Sequence, residues 1–466
     1  MGSVVALLFL LVIVAIIGFR LTTGEDRKTL LLKARAALRE MVLIAREEYA
    51  RLEPFRAALR KRTRYAIVAP ALAALSVMLF ARMLFGAGSL TDPATLVSWG
   101  ANFGPRTTNG EWWRLLTSTF VHTGFLRMAV EAAVLAQLGI LLERLAGRST
   151  LASVFAAAGI LASLVNLSAY PMGTTTGTSG AIFGLYGLLL ASIVRSLRAR
   201  RTVIEPQVRD EVDEGQQECE VGEEPREEAV EEAPAVLVVP VTALLWLVPA
   251  TVLFVLSVWT NDGFAVKADM AGFGVGLLAG LVLTGGIAHQ TPELRTVLAT
   301  TGVMCMALVA CAVPLRGIAD VRPEISRIIA LEDRTAGVYE TALVRVNKGA
   351  MTPDALAQLI DRSIVPELEA ADAHLMAIRG VPLEHRPLVA DADEYLRLRS
   401  TSWRLQAESW RNKVRARRRE ADGTLSSDAG WHQAKAQFRA DAATRGKAEG
   451  TERASLEVLQ RLKGRA

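Results

Sequence analysis

The sequence predicts an all-α polytopic membrane protein with a charged, helical, soluble domain at its C-terminal end. Three observations carry that prediction. The 466 residues are 51% hydrophobic and include 36 glycines, which is too apolar for a soluble domain of this size. The apolar residues gather into runs of about 17–27, enough to cross a ~30 Å hydrocarbon core. The charges are segregated: the net charge is only +5, but basic runs, an acidic run and a charged C-terminal third stand apart. Neither a metal nor a cofactor is expected. The three cysteines form no disulfide framework, and Cys305 and Cys311 read as small hydrophobes on one apolar helix. The five histidines are scattered and no phosphate-binding glycine loop occurs.

The elements follow in order. Residues 1–22 contain the apolar run 3–19 with no Lys or Arg ahead of it and no small-residue cleavage site after it, which predicts a retained anchor. Residues 23–64 are basic with helical spacing of Leu, Ala and Val, an amphipathic segment that the positive-inside rule places in the cytoplasm. Further spans are predicted at 65–86, 116–142, 150–170, 179–197, 236–259, 266–286 and 296–315, making eight with the anchor. The basic ends at Arg144–Arg148 and Arg195–Arg201 fall on the cytoplasmic side in that arrangement, so both termini are expected outside. Residues 202–235 are rich in Glu, Asp, Gln, Gly and Pro and predict a disordered cytoplasmic insertion. Residues 291–316 hold the last span. Residues 317–466 predict about four helices. Breaks fall near Lys348-Gly349, at Thr352-Pro353 with Thr352 as N-cap, at Arg379-Gly380 with a left-handed cap, and at Asp422-Gly423. The basic cluster from Arg411 to Arg419 reads as an exposed or lipid-facing surface, and nucleic acid is not an expected partner in an extracytoplasmic domain.

Three blocks carry the chemistry. The first is Gly177-Thr178-Ser179-Gly180, a serine between glycines at the head of an apolar helix that continues AIFGLYG. The second, upstream, is GEWWRLLTSTFVHTGFL, from Gly110 to Leu126, with Trp113-Arg114 and His122. The third, downstream, is ADMAGFGVGLLAG, from Ala268 to Gly280, with Gly272, Gly276 and Gly280 four apart on one helical face. In this order the blocks resemble those of rhomboid intramembrane serine proteases, over roughly residues 65–290.

The resemblance implies a six-helix membrane core for 65–290, with one extra span at each end, and Ser179 in the nucleophile position. It also implies a difference. The family carries its catalytic histidine directly after the first alanine of the third block, where this chain has Asp269. An imidazole accepts a serine proton near neutral pH, whereas a carboxylate with a model value near ~3.9 is a poor base for an alcohol. The family's oxyanion-binding histidine and asparagine correspond to Arg127 and Glu131, with Gly177 beside them. Glu131 is expected to repel an oxyanion, and the three charges are expected to form a buried Arg–carboxylate cluster. The remaining motif residues read as scaffold. Trp113 and Arg114 would anchor the outer loop, Glu143-Arg144 would cap the second core helix, and His122 would be structural. Phe183 would lie beneath the catalytic position, and Gly180 would allow close helix contact. The expected function is that of a pseudoprotease binding transmembrane segments of other membrane proteins, with the C-terminal domain offering a surface to an extracytoplasmic partner. The alternative is a working serine endopeptidase with a divergent base. A channel or transporter is disfavoured because no inverted repeat of broken helices is visible.

Overall fold

A computed structural model describes residues 52–86, 89–214, 239–261, 266–284, 291–421 and 428–465. The anchor at 1–22, the basic segment up to residue 51 and the Asp422-Gly423 break lie outside the described residues. The chain divides into two units, Met1–Arg316 and Gly317–Ala466.

In the first unit, α1 (Glu53–Arg62) begins with a carboxylate in its first turn and ends on Arg60, Lys61 and Arg62, the polarity that favours the helix dipole. The spans that follow are α2 (Val68–Gly86), α3 (Phe125–Ala146), α4 (Arg148–Ala169) and α5 (Ser179–Glu214). A broken pair, α6 (Val241–Leu245) and α7 (Val248–Asn261), precedes α8 (Val266–Leu283) and α9 (Leu294–Ala312). Six helices among the described residues are long and apolar enough to cross a membrane: Val68–Gly86, Phe125–Ala146, Arg148–Ala169, Ser179–Arg198, Val266–Leu283 and Leu294–Leu315. The chain is an integral, multi-pass membrane protein.

Several boundaries differ from the sequence reading, each for a local reason. The span expected from residue 116 starts at Phe125, because Arg114–Thr117 and Ser118–Phe120 form separate short turns and the backbone is extended at Val121 and Gly124. The single span expected at 236–259 is two helices. Pro249 has no N–H to donate to the Leu245 carbonyl one turn back, and the Trp246 carbonyl, in the break, accepts from Gln137 Nε2 at 2.6 Å. The apolar remainder, Val248–Trp259, is shorter than the other spans. The insertion expected to be disordered from residue 202 is helical as far as Glu214, as a continuation of α5. Residues 215–235 lie outside the described residues.

Close packing fixes where the site falls. Gly147, at φ 91°, alone joins α3 to α4. α5 and α8 meet backbone to backbone. A Cβ at Gly272 would collide with the Gly180 carbonyl, one at Gly276 with the Gly184 carbonyl, and one at Gly187 with the Phe273 carbonyl. Gly180 and Gly184 are also pressed against Ala162 and Ala158 of α4. This small-residue contact forces the head of α5 against the head of α8. Glu143 does not cap its own helix, as expected from sequence. Its carboxylate reaches across to α2 and accepts from the amides of Ile67, Val68 and Ala69 at 2.7, 3.0 and 2.8 Å. Those are orphan donors of a helix start, where a carboxylate is favoured.

The second unit contains α10 (Arg322–Asn347), α11 (Pro353–Leu359), α12 (Val365–Ala377), α13 (Arg386–Ala421) and α14 (Asp428–Arg465). A π turn over Ile360–Ile364 joins α11 to α12, so about four helical rods result, as expected. Thr352 Oγ1 caps α11 by accepting from Ala355 N at 3.2 Å, and Gly349 ends α10 at φ 72°. Gly380 has φ 77° but is not a helix cap, since α12 has already ended at Ala377. Its positive φ serves a backbone contact in which its carbonyl accepts from Ala319 N at 3.1 Å. Trp403, Tyr395, Ile360, Leu368 and Leu462 are buried in this core. Arg399 is buried among them, bonded to Glu332 at 2.6 and 2.9 Å and to Glu452 at 3.0 Å. Burial would lower the Arg399 guanidinium, but the Glu332 carboxylate outweighs it and the net shift is upward.

The candidate active-site cavity

The loop before α5 positions Ser179. Asn102 and Thr175 exchange backbone hydrogen bonds at 3.1 and 2.9 Å, which ties residues 171–178 to the upstream loop. Gly177 has φ 108° and its N–H donates to Ser118 O at 3.0 Å. A Cβ there would meet Arg127 Nη2 at 2.9 Å, so only glycine fits both the backbone and the neighbour. Thr178 donates its N–H to Glu131 Oε2 at 2.7 Å and its hydroxyl to Thr119 O at 2.9 Å. Ser179 then opens α5, with Thr178 O accepting from Ile182 N at 3.0 Å.

Ser179, Arg127, Gly177 and Asp269 line one cavity of about 310 Å³, together with Ser163, Asn166, Tyr170 and Thr174–Thr176. Ser179 is buried and Asp269 more so, at 7% and 3% exposure. The Ser179 hydroxyl makes no hydrogen bond to a described side chain, and no histidine among the described residues lines the cavity. The amides of Ser179, Gly180 and Ala181 belong to the first turn, where no intrahelical acceptor exists.

Glu131 is placed differently from the sequence expectation. It does not line the cavity but lies wholly buried behind it, at 0% exposure. Its carboxylate receives Arg127 Nε at 2.8 Å, Thr178 N at 2.7 Å and His122 Nε2 at 3.0 Å. It therefore acts as an internal acceptor that joins α3 to the loop of Ser179 and does not face an oxyanion. The Gly177 N–H is likewise committed, to Ser118, and is not a donor into the cavity. Of the five expected site positions, Ser179, Arg127 and Asp269 remain as side chains at the cavity wall.

The scaffold residues take particular places. His122 is fully buried. Its Nδ1 is 3.0 Å from Phe120 O, and its Nε2 is 3.1 Å from Thr178 Oγ1 in addition to Glu131. Arg114 is turned inward, not out to the membrane boundary. Its Nη1 donates to Val97 O and to Ala101 O at 3.2 Å, its Nε reaches Glu111, and its guanidinium is 4.6 Å from the ring centre of Trp113. Trp113 itself is exposed. Phe183 packs on Phe254 and Tyr186, with ring centres 5.3 and 6.4 Å away. The links of Glu131 to His122 and Thr178 are not legible in the sequence, because the nine residues from His122 to Glu131 span a loop and a helix start and no periodicity connects them.

Fold and cavity together define the class: a polytopic α-helical membrane protein with a serine at a helix head inside a polar cavity. Residues 109–209 match the model of the Rhomboid domain family. Over 119 residues the chain is 38% identical to the rhomboid protease GluP of Bacillus subtilis, covering 25% of this chain and 23% of that protein. It is 31% identical over 102 residues to rhomboid-like protease 2 of Toxoplasma gondii, covering 22% and 36%. It is 28% identical over 97 residues to inactive RHOMBOID-like protein 8 of Arabidopsis thaliana, covering 21% and 28%. The chain spans less than half the length of each of these relatives. Residues 109–209 are a rhomboid-family domain. The family match ends at residue 209, before α8. The glycine contacts with α5 are what bring Asp269 into the serine's cavity.

Proposed function

We propose that the chain is a rhomboid-like pseudoprotease, which holds transmembrane segments of client membrane proteins in the cavity of Ser179 without efficient cleavage. The observation that carries this reading is Asp269. The titratable cavity groups beside Ser179 are a carboxylate, a guanidinium and a phenol. A guanidinium cannot serve as a base, a carboxylate is a weak one for an alcohol, and neither hydrogen-bonds the serine hydroxyl. The polar lining suits exposed peptide groups of a segment entering from the membrane. In the same reading, the N-terminal anchor, the eight spans and the placement of both termini outside the cytoplasm follow the distribution of Lys and Arg. The helices of 317–466 then offer a surface to an extracytoplasmic protein.

A second reading keeps catalysis, with Ser179 as nucleophile and Asp269 as a divergent base. It is favoured by the intact serine at the cavity wall. Labelling purified protein with a fluorophosphonate, wild type beside Ser179→Ala, separates the two. Background labelling of both supports the pseudoprotease. Strong labelling that vanishes in Ser179→Ala establishes the enzyme.

A further inference from the structure

One end of the membrane unit gathers guanidinium groups at a packed helix junction. α1 lays Phe55 and Leu59 on Leu145 and Ala146 at the end of α3, and Val239 completes the same apolar cluster. Residues 52–67 and 143–148 carry seven basic and two acidic side chains. Both acids are engaged: Glu53 pairs with Arg60, and Glu143 is turned inward onto the α2 amides, with Arg148 at 3.6 Å. Arg56 is half-buried at this junction. Burial first, then the like charges of Arg60 and Arg144, hold its guanidinium below the ordinary arginine range. Arg144 Nε is enclosed by protein with no hydrogen-bond acceptor. Apolar packing thus brings these cations together against their mutual repulsion.

The junction also lies where a lipid headgroup would be. Arg144 is two residues from the end of a membrane-spanning helix, and α2 starts its own span at Val68. A phosphodiester presents several acceptor oxygens, and guanidinium groups are well matched to them. Basic pockets between membrane helices on the cytoplasmic side are suited to anionic headgroups.

We infer that the junction of α1 with the end of α3 is a binding site for the phosphate of an anionic phospholipid, with Arg56 and Arg144 as its guanidinium donors. The occupant is a lipid rather than free phosphate, because the site lies at the ends of two membrane spans, where Tyr65 and Ile67, bonded through their backbones to Arg148 and Glu143, expose apolar surface for acyl chains. This site is separate from the Ser179 cavity and does not depend on the function proposed there.

The test uses the full chain, delipidated in detergent and titrated with phosphatidylglycerol, phosphatidylcholine or inorganic phosphate, with bound lipid counted by native mass spectrometry. Saturable binding of phosphatidylglycerol over phosphatidylcholine is expected. Arg56→Gln with Arg144→Gln should weaken it about tenfold or more, and the corresponding double Lys variant should retain it. The double change Lys61→Gln with Arg64→Gln removes equal charge from exposed positions and should weaken binding less than about threefold. Equal weakening by both Gln pairs would mean a diffuse field and overturn the site. So would equal binding of phosphatidylcholine, or binding of inorganic phosphate as tight as that of phosphatidylglycerol. Thermal unfolding of each variant shows that it is folded, and the Lys pair keeps the test open if the Gln pair does not fold.

Discussion

The Thr178 backbone N–H donates to Glu131 Oε2 at 2.7 Å, so the residue before Ser179 is held by a carboxylate from a helix 47 positions earlier in the chain. The same carboxylate receives Arg127 and His122. The loop that presents the serine is therefore fixed by a buried charge and its donors, whether or not the serine reacts.

Removing that carboxylate should be costly. Glu131→Ala takes the buried carboxylate away from the Arg127 guanidinium and leaves the Thr178 N–H without its acceptor. Breaking one side of a buried ion pair typically costs ~3–5 kcal/mol. Equilibrium unfolding in mixed micelles should show a loss of that order, and Glu131→Gln, which keeps an acceptor oxygen, should lose less. A Glu131→Ala protein as stable as wild type would mean that the carboxylate does not organise the loop.

Arg127 gives the reciprocal prediction. Arg127→Leu should destabilise the protein more than Arg127→Lys, because lysine retains a charge for Glu131. The combined variant Arg127→His, Glu131→Asn, Asp269→His places the family's residues at all three positions. It removes the charges together, so it should be more stable than Arg127→Leu and should gain fluorophosphonate labelling at Ser179. Unchanged stability in Arg127→Leu would show that this guanidinium is solvated.

The α5–α8 contact can be probed with alanine. Gly276→Ala sets a methyl group against the Gly184 carbonyl, whereas Gly274→Ala meets nothing within 4 Å. The first should destabilise by about 1–3 kcal/mol, the usual cost of overpacking, and the second should be nearly neutral. Equal effects would mean that the two helices are not in backbone contact.

The second unit carries a pH prediction. Asp372 has a raised pKa, first from burial and then from the neighbouring Asp393 charge, and its Oδ1 is enclosed without a partner. A carboxyl raised in the folded state stabilises below its unfolded value, and that contribution is lost as pH rises through its folded value. Stability should therefore fall across the mildly acidic range as pH increases. Asp372→Asn should flatten that slope and raise stability at neutral pH. An unchanged slope in this variant would assign it to other groups.

The proposed topology is tested with reporter fusions placed after Gly317 and within 205–233, which should report opposite sides of the membrane. Agreement between the two reporters would require a different number of spans.

The class of the protein was legible in the sequence because a bilayer imposes a length on every apolar run, and 68–86, 148–169, 179–198 and 294–315 are such runs. The glycines at 272 and 276 were legible as contact residues because helical spacing puts them on one face, and Gly180 because it flanks the serine at the helix head. The serine and the aspartate were legible as positions within quoted motifs. What only the tertiary structure decided is the direction of the buried charges. From the sequence, Arg127 and Glu131 are equivalent neighbours one turn apart. In the fold, Arg127 borders the cavity and Glu131 turns away to collect donors from His122 and Thr178. Glu143 crosses to the start of α2 and Arg114 folds under its own loop for the same reason. A buried polar group must find a partner, and those partners lie on segments that local sequence pattern cannot connect.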